Sequence, residues 1–178
     1  RSTPCGTLFP YTTLFRSGSL AVFSINKEGS IKDTIQTVQY HGVGATQRQR
    51  GPNVHSILVS PDNKFVYVAD LGLDKVLIYE LDQKAGMLSP AEQPFVSVSP
   101  GAGPRHFTFH PEGSYFYLAQ EMGSKVSAYE RDLSSGALVE MQTLSTLPED
   151  FEERNSVADI HTDPEGKYLY VSNRGHNS

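Results

Sequence analysis

A proline-acid-Asn/Gly turn recurs three times in this chain, each time between two short apolar runs. Residues 55–70 read HSILVSPDNKFVYVAD, residues 105–121 read RHFTFHPEGSYFYLAQE and residues 158–174 read ADIHTDPEGKYLYVSNR. The turn prolines Pro61, Pro111 and Pro164 lie 50 and 53 residues apart, and Tyr67, Tyr117 and Tyr170 keep one offset from them. Such a repeat limits the available folds severely. Every unit presents the same faces, so the stable solution stacks the units on one another.

The units are written in strand vocabulary. Their runs are rich in Val, Ile, Tyr and Phe and are bounded by Pro-Asp-Asn, Pro-Glu-Gly, Lys-Glu-Gly and Ser-Ser-Gly turns. No segment sustains a helical period. Residues 75–88 and 125–138 add a second pair of runs to the first two units, and residues 19–31 match that second pattern as the tail of an earlier unit. Four strands per unit at this period predict an all-β fold, a β-propeller. About three and a half blades are expected in this chain, against the roughly four to eight of a closed ring. Residues 18–178 are therefore expected to form a partial propeller, open at both ends. A smaller β-sandwich is the competing architecture, and the strict repetition of the turn chemistry argues against it.

Residues 1–17, RSTPCGTLFPYTTLFRS, share neither the periodicity nor the vocabulary of the rest. The run TLFPYTTLFRS is the in-frame translation of a sequencing-library adapter, and the segment is read as a non-native artefact to be set aside. The charge shifts with it. The whole chain has 15 Lys+Arg against 20 Asp+Glu, a formal net charge of −5; without Arg1 and Arg16 it is 13 against 20, or −7. That acidity argues against nucleic acid as a partner. No apolar run approaches the roughly 18 residues of a membrane helix. The lone cysteine, Cys5, excludes a disulfide framework or a cysteine-rich zinc site.

Repeat geometry points to a site. Six residues before the turn proline stand His55, Arg105 and Ala158; ten residues after it stand Leu71, Glu121 and Arg174. In a hairpin closed at this turn, both positions lie at the end far from it. His55, Arg105, Glu121 and Arg174 are thus expected to gather at one mouth of the central channel. Two guanidinium groups bind phosphate or carboxylate in planar, bidentate fashion, and a carboxylate or imidazole of tuned pKa activates water. An inter-blade salt-bridge network would use the same residues equally well. Arg48 sits in the polar loop TQRQR and either reaches the mouth or is solvated. His106 should face the other side of its strand, toward the core or a neighbouring blade. Asp159, His161 and Asp163 have a D-x-H-x-D spacing that could suggest a metal, but a channel-lining role fits better, with Asp163 in the turn and no metal expected. His41, His110 and His176 read as structural or surface residues. No G-x-S-x-G elbow is present.

The strings GPRH, STLP, ADIH and SNRGH, with GPNVHSILVSPDNKFVYVADLGLDKVLIYE, closely resemble the seven-bladed β-propeller lactonases, over nearly all of residues 18–178. The resemblance implies a cofactor-independent hydrolysis of a sugar lactone, 6-phospho-D-glucono-1,5-lactone, to 6-phosphogluconate. It implies a cytoplasmic protein, monomeric at full length, whose partner is a small phosphosugar lactone. A different carboxylated lactone, or a binding propeller without catalysis, is the alternative. The family's suspected catalytic His, two Arg and Glu fall on His55, Arg105, Arg174 and Glu121. Arg48, His106, Asp159 and His161 are the candidate substrate-binding residues. The segment RQRGPNVHS departs from the family, which commonly has His where this chain has Asn53.

Overall fold

The computed structural model describes residues 18–178, so the adapter-like segment 1–17 lies outside the described residues. Twelve strands follow one another without a helix among the described residues: β1 (Ser19–Ile25), β2 (Ile31–Gln39), β3 (Val54–Val59), β4 (Phe65–Asp70), β5 (Lys75–Asp82), β6 (Met87–Ser97), β7 (Pro104–Phe109), β8 (Tyr115–Gln120), β9 (Lys125–Arg131), β10 (Leu138–Ser145), β11 (Val157–Thr162) and β12 (Leu169–Asn173). They form four sheets, β1-β2, β3-β4-β5-β6, β7-β8-β9-β10 and β11-β12, in which each strand pairs antiparallel with its sequence neighbour. These are two complete blades flanked by two half-blades, where about three and a half blades were expected. The first strands β3, β7 and β11 pack side by side, while β2 meets β6 further out. That is the radial arrangement of a propeller.

The recurrent turn closes identically in all three repeats. Ser60 N–H donates to Phe65 O at 2.8 Å, His110 N–H to Tyr115 O at 2.9 Å and Asp163 N–H to Tyr168 O at 3.0 Å. Two residues past each proline the backbone is left-handed, at Asn63 (φ 57°), Gly113 (φ 79°) and Gly166 (φ 71°). This explains the sequence pattern: proline presets φ early in the turn, and Asn or Gly tolerates the positive φ that follows.

Between the two complete blades lies an aromatic core. Phe107 and Phe116 stack with centroids 4.7 Å apart, and Tyr67, Phe109 and Tyr129 pack edge-on to Phe116 or tilted against it. Fully burying each such ring is worth roughly 1.5–3 kcal/mol. One cation penetrates this core. Arg131, its side chain 0% exposed, bonds both oxygens of Asp62 at 3.0 Å, Tyr67 Oη at 2.9 Å and Gly113 O at 3.0 Å. Tyr67 Oη in turn donates to Gly136 O at 2.6 Å. The pair therefore crosslinks the blades with every polar atom partnered, the condition under which a buried charge is tolerated.

At the opposite ends of the strands the ladder runs on past the regular pairing. Leu71 N–H donates to Asn53 O, Glu121 N–H to Gly103 O and Arg174 N–H to Ser156 O, at 2.8–2.9 Å. These repeated bonds place residues 71, 121 and 174 at one rim.

Candidate active site

Each inner strand has an irregular register at its rim end: between Val54 and Ser56, between Pro104 and Phe107, and between Val157 and Ile160. The skipped residues are His55, Arg105 with His106, and Ala158 with Asp159. A bulge bends a strand and re-aims the side chain it carries. Here it occurs in every repeat at the position six residues before the turn proline.

Glu121 is the centre of the cluster. Its side chain is only 4% exposed, yet three arginines reach it. Arg105 Nε donates to Oε2 at 2.9 Å, Arg174 Nη2 lies 3.1 Å from Oε2, and Arg48 Nη2 donates to Oε1. His55 Nε2 stands 3.9 Å from Oε2. The structure thus brings together all four residues expected at the mouth and adds Arg48. Burial alone would push the Glu121 carboxyl up, but the Arg48 hydrogen bond and the charges of Arg48, Arg174 and Arg105 outweigh it and hold the pKa below normal. Three cations and one anion leave the rim net positive on a chain of net charge −5.

His55 is tuned the other way. Desolvation first, then the charges of Arg105 and His106, lower its pKa to about 4, against the opposing pull of Glu121. The imidazole is consequently neutral at physiological pH. Its Nδ1 is buried with no hydrogen-bond partner among the described residues.

The remaining expected residues form a second group beside the first. His106 packs edge-on to His55, with centroids 5.3 Å apart. Its Nδ1 lies 2.8 Å from Asp159 Oδ1 on the next blade, and His161 Nε2 lies 3.0 Å from Asp159 Oδ2. Asp159 is held at about pKa 2, mainly by the His106 hydrogen bond, with burial opposing and His161 assisting. An ionised carboxylate only accepts, so both ring nitrogens are donors here. Asp163 instead accepts Tyr168 N–H at 2.8 Å within its turn. Among the described residues no group of three or more His, Cys, Asp or Glu is arranged to hold a metal ion.

An open cleft of about 590 Å³ leads to this cluster, bordered by Arg48, Glu121, Arg154, Ser156 and Arg174. Arg48 and Arg174 are half-exposed, at 53% and 49%, so their outer faces look into it. The salt-bridge network foreseen as an alternative is real, but it is also accessible. Two further residues bear on this cleft and carry no motif or repeat position in the sequence. Gln49, 1% exposed, donates to Leu71 O at 2.8 Å and accepts from Thr46 N–H and Oγ1–H, pinning the loop that presents Arg48. Arg154 was hidden at the end of the acidic run 149–153; its isolation as a cation there was the available signal.

The family description "Lactonase, 7-bladed beta-propeller" matches residues 8–178. The chain belongs to the seven-bladed β-propeller lactonases. It is 36% identical over 170 residues to a 6-phosphogluconolactonase of Bacillus subtilis (strain 168), covering 96% of this chain and 48% of that protein. Among solved structures, a periplasmic gluconolactonase of Pseudomonas aeruginosa superposes with a TM-score of 0.85 at 30% identity, covering 94% of this chain and 47% of that one. A protein from Lactobacillus plantarum gives a TM-score of 0.83 at 37% identity, covering 90% and 46%. The chain thus spans about half the length of the lactonases it matches. No helix among the described residues is long and apolar enough to cross a membrane.

Proposed function

We propose that the complete protein hydrolyses 6-phospho-D-glucono-1,5-lactone to 6-phosphogluconate. The observation that supports this most is the arginine-ringed carboxylate beside an imidazole kept neutral by its surroundings. A water molecule attacks the lactone carbonyl carbon while neutral His55 takes its proton. The electron pair moves to the carbonyl oxygen, and guanidinium donors stabilise that oxyanion, the kind of preorganised electrostatics that dominates many rate enhancements. The intermediate then collapses, the ring C–O bond breaks, and the imidazolium returns its proton to the departing ring oxygen. A carboxylic acid and a free hydroxyl result, and the acid releases its proton to solvent to leave the carboxylate. Glu121, saturated by arginines, is a poor base; it orients them and stabilises the transient imidazolium 3.9 Å away. The cycle uses only the chain's own side chains and water.

The same arginines suit a carboxylated lactone, so the substrate is decided by assay. In a pH-stat, the complete protein should open the phosphorylated lactone faster than gluconolactone or a carboxylated lactone. Failure to open any of them would overturn the reading and favour a binding propeller. We further propose that the enzyme works as a cytoplasmic monomer; sedimentation and cell fractionation test both points, a periplasmic fraction contradicting the second.

A further inference from the structure

Arg154 borders the cleft as a cation unmatched among the described residues. Arg48 and Arg174 share their charge with Glu121, whereas the Arg154 side chain has no ion pair or hydrogen bond among the described residues. This is so although Glu149, Asp150, Glu152 and Glu153 precede it in sequence. The exposed Arg154 borders the cleft.

Its backbone is held firmly. Asn155 Nδ2 donates to Ser124 Oγ at 3.0 Å and to Asn173 Oδ1 at 2.8 Å, and Asn155 Oδ1 accepts His176 N–H at 3.2 Å. Gly175 packs so close that a Cβ there would meet Arg154 O at 2.3 Å. The next residue, Ser156, accepts Arg174 N–H on its carbonyl and borders the cleft, its hydroxyl without a hydrogen bond among the described residues. One loop therefore carries both the carbonyl that holds the backbone of the Glu121-bound Arg174 and an arginine unpaired among the described residues, and both arginines border the same cleft.

We infer that Arg154, with the Ser156 hydroxyl, forms the subsite for the phosphate of the lactone, separate from the Glu121-centred arginines that serve the carbonyl. A guanidinium presents paired donors matched to phosphate oxygens, and a pinned loop binds without a large ordering cost. The inference rests on the proposed lactonase reading and gives that site its substrate specificity.

The test compares wild type, Arg154→Ala and Arg154→Lys in the complete protein. Arg154→Ala should raise KM for the phosphorylated lactone and cut the preference for it over gluconolactone roughly 10- to 100-fold, the worth of a charged hydrogen bond. Arg154→Lys should recover part of that preference. An unchanged preference, or an equal loss on both lactones, overturns the subsite. Calorimetric binding of inorganic phosphate checks it without turnover: weaker binding to Arg154→Ala supports the subsite, and equal binding to both forms overturns it. Wild type that opens no lactone while its phosphate binding still depends on Arg154 overturns the lactonase reading and leaves the anion subsite standing.

Discussion

Arg105 Nε donates to Glu121 Oε2 at 2.9 Å, although sixteen residues separate the two. They stand at the two open ends of one hairpin, brought level by the turn at Pro111 and by the register of β7 against β8. The same carboxylate oxygen meets Arg174 of the next blade at 3.1 Å. One buried acid therefore sets the positions of guanidinium groups from different blades, and the charge of the rim depends on it.

Glu121→Gln should leave the complete protein folded and lower kcat/KM for its lactone by about 100-fold, the cost of misplacing groups that must be aligned within an ångström. Circular dichroism checks the fold and a pH-stat the rate. Full activity in this variant would contradict the role of Glu121.

His55 predicts the acid limb of the pH profile. Its folded pKa of about 4 lies below the unperturbed 6.5. The neutral, active form therefore persists as pH falls through 6.5 and is lost only near 4. The kcat/KM profile should bend near pH 4, and His55→Asn should cost on the order of 10²–10⁴-fold. A bend at 6.5 would show that a different imidazole acts.

Gln49 is predicted to act through Arg48. Gln49→Ala frees the Thr46 hydrogen bonds and the Leu71 carbonyl, so the loop loses its fixed geometry. KM should rise in Gln49→Ala and in Arg48→Ala, and the double variant should be no worse than the poorer single one, because contacting residues are non-additive. Simple additivity would mean that Gln49 does not position Arg48.

The Asp62–Arg131 pair governs stability rather than chemistry. Arg131→Ala leaves Tyr67 Oη and Asp62 short of their donors and should cost about 3–5 kcal/mol, read from denaturant midpoints. Burial raises the Asp62 pKa, but the Ser60 and Arg131 hydrogen bonds outweigh it and the net shift is downward. Stability from the pair is thus present above the unfolded carboxyl pKa and is lost only as pH falls through the lower folded value. A variant as stable as wild type would show that the crosslink contributes nothing net.

Sequence alone determined the repeat, the strand-turn-strand unit, the turn chemistry and the expectation that residues 55, 105, 121 and 174 share one rim. All of these follow from short-range rules: proline and glycine restrict φ locally, and a hairpin of known turn fixes which residues share an end. Tertiary structure decided the rest. Arg48 reaches Glu121 from 73 residues away, Asp159 meets His106 of the adjacent inner strand, and Arg154 has no ion pair among the described residues although four acids precede it; none of these is set by neighbours in sequence. The charge states depend on packing in the same way. Burial and the placement of guanidinium groups keep His55 neutral and Glu121 ionised, and desolvation is a property of the packed blades that no local pattern encodes.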